Sequence, residues 1–146
     1  MVVTVRAATP ADSGVLATLL TQLGYPSTER DVLGRLDYWI VDPYSQVLVA
    51  EQDDRPAGCL SIHALPYLER TGRWARIECM VVDKALRGTG IGNALLQDAE
   101  ALAESWGCLA VEVTSSRRRT GAHGFYQRNG YTDICDRSGR FWKDLD

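Results

Sequence analysis

The chain has 146 residues, 45% hydrophobic and 24% charged, with a formal net charge of −3. This length favours a single domain over residues 1–146 with a sizeable core, and the composition excludes a disordered chain. Mild acidity disfavours a nucleic-acid binder, and no apolar run approaches the length of a membrane span.

The first residues, Met1 to Arg6, alternate like a strand and lack the basic start and apolar stretch of a signal peptide, so a cytoplasmic protein is expected. A helix follows, with Thr9 as N-cap, Pro10 at the first helical position and Asp12 in the first turn. Val15, Leu16, Leu19, Leu20 and Leu23 form its inward stripe, and Gly24 stops it. Ser27 is placed to cap a second helix whose Val32, Leu33 and Leu36 face inward.

The period then changes. Gln46 to Glu51 and Ala57 to Ala64 read as strands joined at Asp53-Asp54-Arg55-Pro56, and Trp74 to Val82 as a third. Asn93 to Trp106 reads as a helix, with Ile91, Leu95, Ala99, Leu102 and Trp106 on its apolar side. Leu109 to Val113 is a short strand, and Ala122 to Arg128 a short helix ended by Asn129-Gly130. Tyr131 to Cys135 and Arg140 to Lys143 read as two closing strands. The order predicts a mixed α/β sheet with a parallel pair where strand, helix and strand follow one another between Trp74 and Val113.

The cysteines Cys59, Cys79, Cys108 and Cys135 form no CxxC pair and sit in apolar stretches, which predicts reduced core thiols. His63 and His123 are too few and too far apart to suggest a metal site.

Between the third strand and the long helix lies Arg87-Gly88-Thr89-Gly90-Ile91-Gly92. Glycines let the backbone turn sharply and approach a ligand closely. The helix start presents N–H groups and a positive dipole end, and Arg87 adds a charge, so the turn suits a diphosphate. It is not a Walker A loop, because no Lys-Ser/Thr follows the last glycine, and it is not a Rossmann fingerprint, because the third glycine position falls on Asn93 or Leu95.

The stretch from Glu78 to Gly92 resembles the cofactor signature of the GNAT superfamily of N-acetyltransferases, Arg/Gln-x-x-Gly-x-Gly/Ala after a strand. A second signature is recognisable in Ala122-His123-Gly124-Phe125-Tyr126-Gln127-Arg128-Asn129-Gly130-Tyr131. The resemblance covers the whole chain. It implies a mostly antiparallel sheet with a splayed central parallel strand pair, flanked by helices. It also implies acetyl-CoA as co-substrate and direct transfer of an acetyl group to a primary amine. Two positions depart from the family pattern, Lys84 where many relatives have proline and Arg119 where many have asparagine. Arg119 with Ala122-His123 and Phe125-Tyr126 is similar to the branch containing aminoalkylphosphonate and some aminoglycoside acetyltransferases, which points to a small-molecule amine. The alternatives are a protein or peptide N-acetyltransferase and a non-catalytic acyl-CoA-binding regulatory module. A homodimer through the C-terminal strands accords with family habit.

By the same resemblance, Arg87, Gly88, Thr89, Gly90, Ile91, Gly92 and Asn93 hold the cofactor. Met80, Val81 and Val82 pair their backbone with its pantetheine arm. Arg119, in the run Arg117-Arg118-Arg119, meets its 3′-phosphate or an anionic acceptor. Glu78, nine residues before Arg87, stands where several family members carry a general base, and strand alternation places it on one face with Met80 and Val82. The alternatives for Glu78 are a clamp for a cationic amine or a solvated charge. Tyr126 is the candidate partner of the leaving thiolate, and it also belongs to the cofactor site. A phenol of pKa about 10 hydrogen-bonds a thiolate more readily than it transfers a proton to one of pKa about 8.5. His123 reads as structural or as a cofactor-edge residue. Acceptor specificity is expected from Tyr25, Glu29, Asp37, Tyr38, Trp39, His63, Tyr67 and Trp74, where aromatics with acids suit a cation.

Overall fold

The structure, a computed structural model, describes residues 2–115 and 120–146. These divide into two compact units, Met1–Val113 and Thr114–Asp146.

The first unit begins with β1 (Val3–Ala7) and a short 3-10 turn (Pro10–Asp12), followed by α1 (Ser13–Leu23) and α2 (Glu29–Val41). Next come β2 (Ser45–Gln52), β3 (Arg55–Pro66), β4 (Arg73–Val82), α3 (Ile91–Ser105) and β5 (Cys108–Val113). The strands form one sheet in the order β1-β2-β3-β4-β5, antiparallel throughout except for the parallel pair β4–β5. This is the expected mixed α/β architecture. Asp53 and Asp54 close the β2–β3 hairpin at positive φ (49° and 66°), as a two-residue turn with the right twist requires.

The helices lie on opposite faces. Leu16, Ala17 and Leu19 of α1 and Val32 and Leu36 of α2 form one core with Val49, Cys59 and Val81 of the sheet. Ile91, Leu95, Leu96 and Ala99 of α3 are buried on the other side. A Cβ on Gly58 would stand 2.9 Å from the Val81 carbonyl oxygen and 3.1 Å from Ile91, so glycine is what lets α3 sit this close to β3.

Local caps differ slightly from expectation. Thr9 caps the 3-10 turn and not α1 itself, and Thr28, not Ser27, caps α2 in a reciprocal box with Asp31. Val15 and Leu33, expected inside, are exposed, because the neighbouring positions already fill the narrow stripe each helix turns to the sheet. Of the four cysteines only Cys59 is buried, and Cys135 is exposed.

The second unit carries α4 (Thr120–Arg128). Gly130 at φ 88° ends it, with Tyr131 N–H donating to the Tyr126 carbonyl and Gly130 N–H to that of Gln127. The expected closing strands Tyr131–Cys135 and Arg140–Lys143 are not formed, so β5 is the sheet's edge among the described residues. Local bonds claim the backbone instead: Asp133 Oδ1 accepts from Cys135 N–H, and the Ile134 carbonyl accepts from Arg137 and Ser138.

Among the described residues, no helix is long and apolar enough to cross a membrane. One ion pair anchors β1 to the start of α1. Arg6 grips the buried Asp12 with both ends of its guanidinium (2.8 and 2.9 Å) and reaches Glu51 at 3.0 Å. Asp12 also accepts from Thr9 N–H, and its carboxyl is held below the ordinary carboxylate range, first by the hydrogen bond from Arg6. Asp12→Ala strands Arg6 and the Thr9 donor and should cost about 2–4 kcal/mol in urea unfolding at pH 7. A lowered folded pKa means the stabilisation is complete above the ordinary value of 3.8 and is lost as pH falls through the folded value. The gap between wild type and variant should therefore hold from pH 7 to about pH 4 and close below it.

Candidate active site

The register between β3 and β4 breaks at one place. Ser61 pairs with Cys79 and the next residue, Ile62, pairs with Ile77, so Glu78 is an extra residue on β4. Cross-strand partners share a face. Cys59, Ser61, His63 and Leu65 therefore share a face with Val81, Cys79, Arg76 and Trp74, while Leu60, Ile62 and Ala64 share the other with Met80, Ile77 and Ala75. Glu78 belongs to the first face, because Ser61 Oγ donates to its Oε1 at 2.9 Å. This corrects the alternation expected from sequence: the bulge puts Glu78 opposite in sense to Met80 and Val82, on the side that α1 and α2 cover.

That face has two halves. Toward α1 and the start of α2 it is apolar. Toward the end of α2 it carries Ser45, Ser61, His63, Arg76 and Glu78. Ser45 and Ser61 are buried and each serves a carboxylate, Ser45 Oγ donating to Asp42 Oδ2. His63 stacks on Trp39 (centroids 4.0 Å apart), with Tyr38 edge-on at 6.2 Å. Burial lowers the His63 pKa below the ordinary 6.5, the negative charges of Glu78 and Asp42 oppose this, and Arg76 adds to the lowering. Arg76 is itself paired with Glu112 of β5 at 3.2 Å. Beside Glu78, the Cys59 thiol is pushed well up, first by its hydrogen bond with Cys79 and then by burial, which marks an inert thiol.

β4 leads directly from Glu78 to the glycine turn. The ladder to β5 ends at the Ile77–Val113 pair, while β4 continues to Val82. Past it, Asp83 donates its N–H to Ala57 and accepts at its side chain from Ala85 N–H. Lys84 N–H reaches Gln22 of α1, and Thr89 Oγ1 donates to the Leu86 carbonyl. Gly88 (φ 80°) and Gly90 (φ 88°) are left-handed, and a Cβ on either would meet nothing within 4 Å, so the turn opens outward. Gly90 is the N-cap of α3 without a side-chain cap, and its carbonyl accepts from Ala94 N–H. The N–H groups of Ile91, Gly92 and Asn93 precede any intrahelical partner. With Arg87 beside them they fit a diphosphate.

The sequence-chosen residues thus fall into groups. Glu78, Val81, Val82 and Arg87 to Asn93 follow one another along β4, the turn and the start of α3. Met80 faces Leu60 on the α3 side. Tyr126 lies in the second unit, its ring edge-on to Phe125 (5.3 Å) and Tyr131 (5.9 Å). Arg119, with Arg117 and Arg118, lies outside the described residues. Among the acceptor candidates, Tyr38, Trp39 and His63 gather near Glu78, and Tyr67 and Trp74 pack together at 4.8 Å. Tyr25 is exposed, and Glu29 lines a shallow groove with Thr18, Gln22 and Ser27 at the opposite end of α2. Sequence reasoning missed Asp42, Ser45 and Ser61. Asp42 follows a helix, Ser45 opens a strand and Ser61 lies within one, so none carries a signal of its own, and only the fold joins them.

Residues 16–131 match the family model described as "Acetyltransferase (GNAT) family". The chain is similar to an aminoalkylphosphonate N-acetyltransferase of Salmonella typhimurium, 32% identical over 92 residues, covering 63% of this chain and 60% of that one. It is also similar to a blasticidin-S acetyltransferase of Streptomyces morookaense, 40% identical over 60 residues, covering 40% of this chain and 43% of that one. The matches span less than two thirds of the length of these curated relatives. The solved structure of a transcriptional regulator from Bacillus halodurans C-125 shares the fold, with a TM-score of 0.86 at 24% identity, covering 99% of this chain and all of that one.

Gly90→Ala forces a side chain into left-handed backbone at a cost of about 1–2 kcal/mol. It should weaken binding of ADP, used as a diphosphate probe in calorimetry, about tenfold while leaving the remainder of the unit folded by circular dichroism.

Proposed function

We propose that this chain, which belongs to the acetyltransferase (GNAT) family, transfers an acetyl group from acetyl-CoA to the primary amine of a small molecule, with residues 1–146 acting as one catalytic domain. The observation that carries this reading is a carboxylate and an anion cradle joined by one strand: the bulge turns Glu78 onto a polar, aromatic-lined face, and β4 runs from it into Arg87–Asn93.

Acetyl-CoA, when bound, supplies an acyl thioester. Its diphosphate suits the N–H groups ahead of α3 together with Arg87, and Val81 and Val82 lie where β4 has run past its ladder with β5. Ser61 fixes one oxygen of Glu78, which leaves Oε2 to draw in and orient an ammonium group. Tyr38 and Trp39 add ring faces and edges suited to a cation. Tyr126 hydrogen-bonds the leaving thiolate in this reading. An acceptor that is a small molecule draws support from the relatives named for aminoalkylphosphonates and blasticidin-S.

Acetyl-CoA with aminoethylphosphonate, spermidine, kanamycin, glycine or a short peptide should release free thiol with at least one of the small amines. Thiol release with the peptide alone would favour a peptide acetyltransferase, and none with any amine would leave only an acyl-CoA-binding module. Glu78→Gln should lower kcat/KM for the amine about 10²-fold with little change in the acetyl-CoA KM. Tyr126→Phe should lower kcat about tenfold at unchanged acetyl-CoA affinity, and an unchanged kcat removes its role.

A further inference from the structure

Asp42, Ser45 and His63 form a hydrogen-bonded chain on the face that carries Glu78. Ser45 opposes His63 in the β2–β3 register, and its Oγ stands 2.5 Å from Asp42 Oδ2 and 2.7 Å from His63 Nδ1. A hydroxyl has one proton, and an ionised carboxylate only accepts. Ser45 therefore donates to Asp42, and the Ser45 oxygen must accept from Nδ1–H. Neutral His63 is then fixed as the Nδ1–H tautomer, with its lone pair on Nε2. Among the described residues Nε2 has no hydrogen-bond partner, and His63 is half-buried, not enclosed. The ring plane is held by Trp39 and the edge of Tyr38.

We propose that His63 Nε2 takes the proton of the incoming ammonium, and that Asp42 and Ser45 are positioning residues that keep the imidazole in the tautomer able to do so. The proposal rests on the acetyl-transfer reading and divides its labour. A carboxylate attracts and orients a cation but is a weak base at neutral pH, whereas an imidazole is suited to hold the proton. The groups that face His63 are Glu78 and Arg76 from β4, Asp42 after α2 and Tyr38 within it. Burial keeps His63 below its ordinary pKa of 6.5, so it is neutral and able to accept at pH 7 and above.

The step balances. The ammonium gives one proton to Nε2, and the freed lone pair forms the N–C bond to the acetyl carbon. The C–S bond breaks with its electrons on sulfur, and the second nitrogen proton ends on that sulfur as the free thiol. His63 returns its proton to solvent, so each turnover releases one proton.

The test is the pH profile of kcat/KM from pH 5 to 9 for thiol release with aminoethylphosphonate and spermidine. It is combined with nitrogen NMR of the imidazole rings, His63 being assigned by its loss in His63→Gln. Wild type should show an acid limb with an apparent pKa below 6.5 and an Nδ1–H ring. His63→Gln should lose that limb and lower kcat about 10²-fold, with the acetyl-CoA KM within twofold. Ser45→Ala should lower kcat about three- to tenfold and shift the ring toward the Nε2–H tautomer. An Nε2–H ring in wild type, or an active wild type whose kcat and limb survive His63→Gln, overturns the proposal and leaves acetyl transfer standing. If His63→Gln fails to fold, the ring is assigned as the one that remains in His123→Gln, and its tautomer and the Ser45→Ala kinetics decide. No thiol release by wild type with any amine overturns the acetyl-transfer reading, and this proposal with it.

Discussion

Between Ser61 and Ile62, β3 meets one residue too many on β4, and Glu78 is the residue left over. A bulge of this kind reverses which residues of a strand face which side. Before it, Ala75 and Ile77 lie on the side of α3. After it, Val81 lies among α1 and α2. One strand thus contributes to both cores, and the residue at the switch is the one acid on it. Without the extra residue, Ser61 would not have Glu78 beside it, and the polar end of this face would have no carboxylate from β4. The bulge is also next to where β4 and β5 part, since the last parallel pair is Ile77 with Val113.

The glycine turn depends on that strand in a different way. Its shape is set by bonds that need no ligand: Asp83 to Ala57 and Ala85, Lys84 to Gln22, and Thr89 to Leu86. These engage the Asp83 and Thr89 side chains internally and leave the helix-start N–H groups without intrahelical partners. An anion arriving there finds donors already ordered, so little conformational entropy remains to be lost on binding.

Much of the first unit was legible in the sequence because each element carried its own period and its own stops. The hairpin at Asp53-Asp54, the strand over residues 73–82 and the helix after the glycine turn lie within a residue or two of expectation. The strand-to-helix glycine turn was legible too, since glycines and such a junction are local signals. The bulge was not. Residues 75, 77 and 81 are all buried, so the period-two pattern runs through Glu78 unbroken even though it changes sides there. Burial on both faces of a sheet erases the contrast by which a face switch would be read. The chain Asp42–Ser45–His63 was hidden for a related reason: its members lie on a helix end and two strands, and only cross-strand register brings them together. The two closing strands were over-read from short alternations, and in the first of them Asp133 diverts the backbone into a turn.

The cost of the polar half-face explains its form. A buried hydroxyl without a partner destabilises by about 1–3 kcal/mol, and Ser45 and Ser61 are both buried. Each escapes that cost by donating to a carboxylate, and Ser45 also accepts from an imidazole. What the hydroxyls add is orientation: Ser61 fixes one oxygen of Glu78, and Ser45 fixes the tautomer of His63. Two buried serines on adjacent strands therefore hold an acceptor-only group and a base at one end of the sheet. The apolar half of the same face, from Leu16 to Val81, supplies the stability against which that arrangement is maintained.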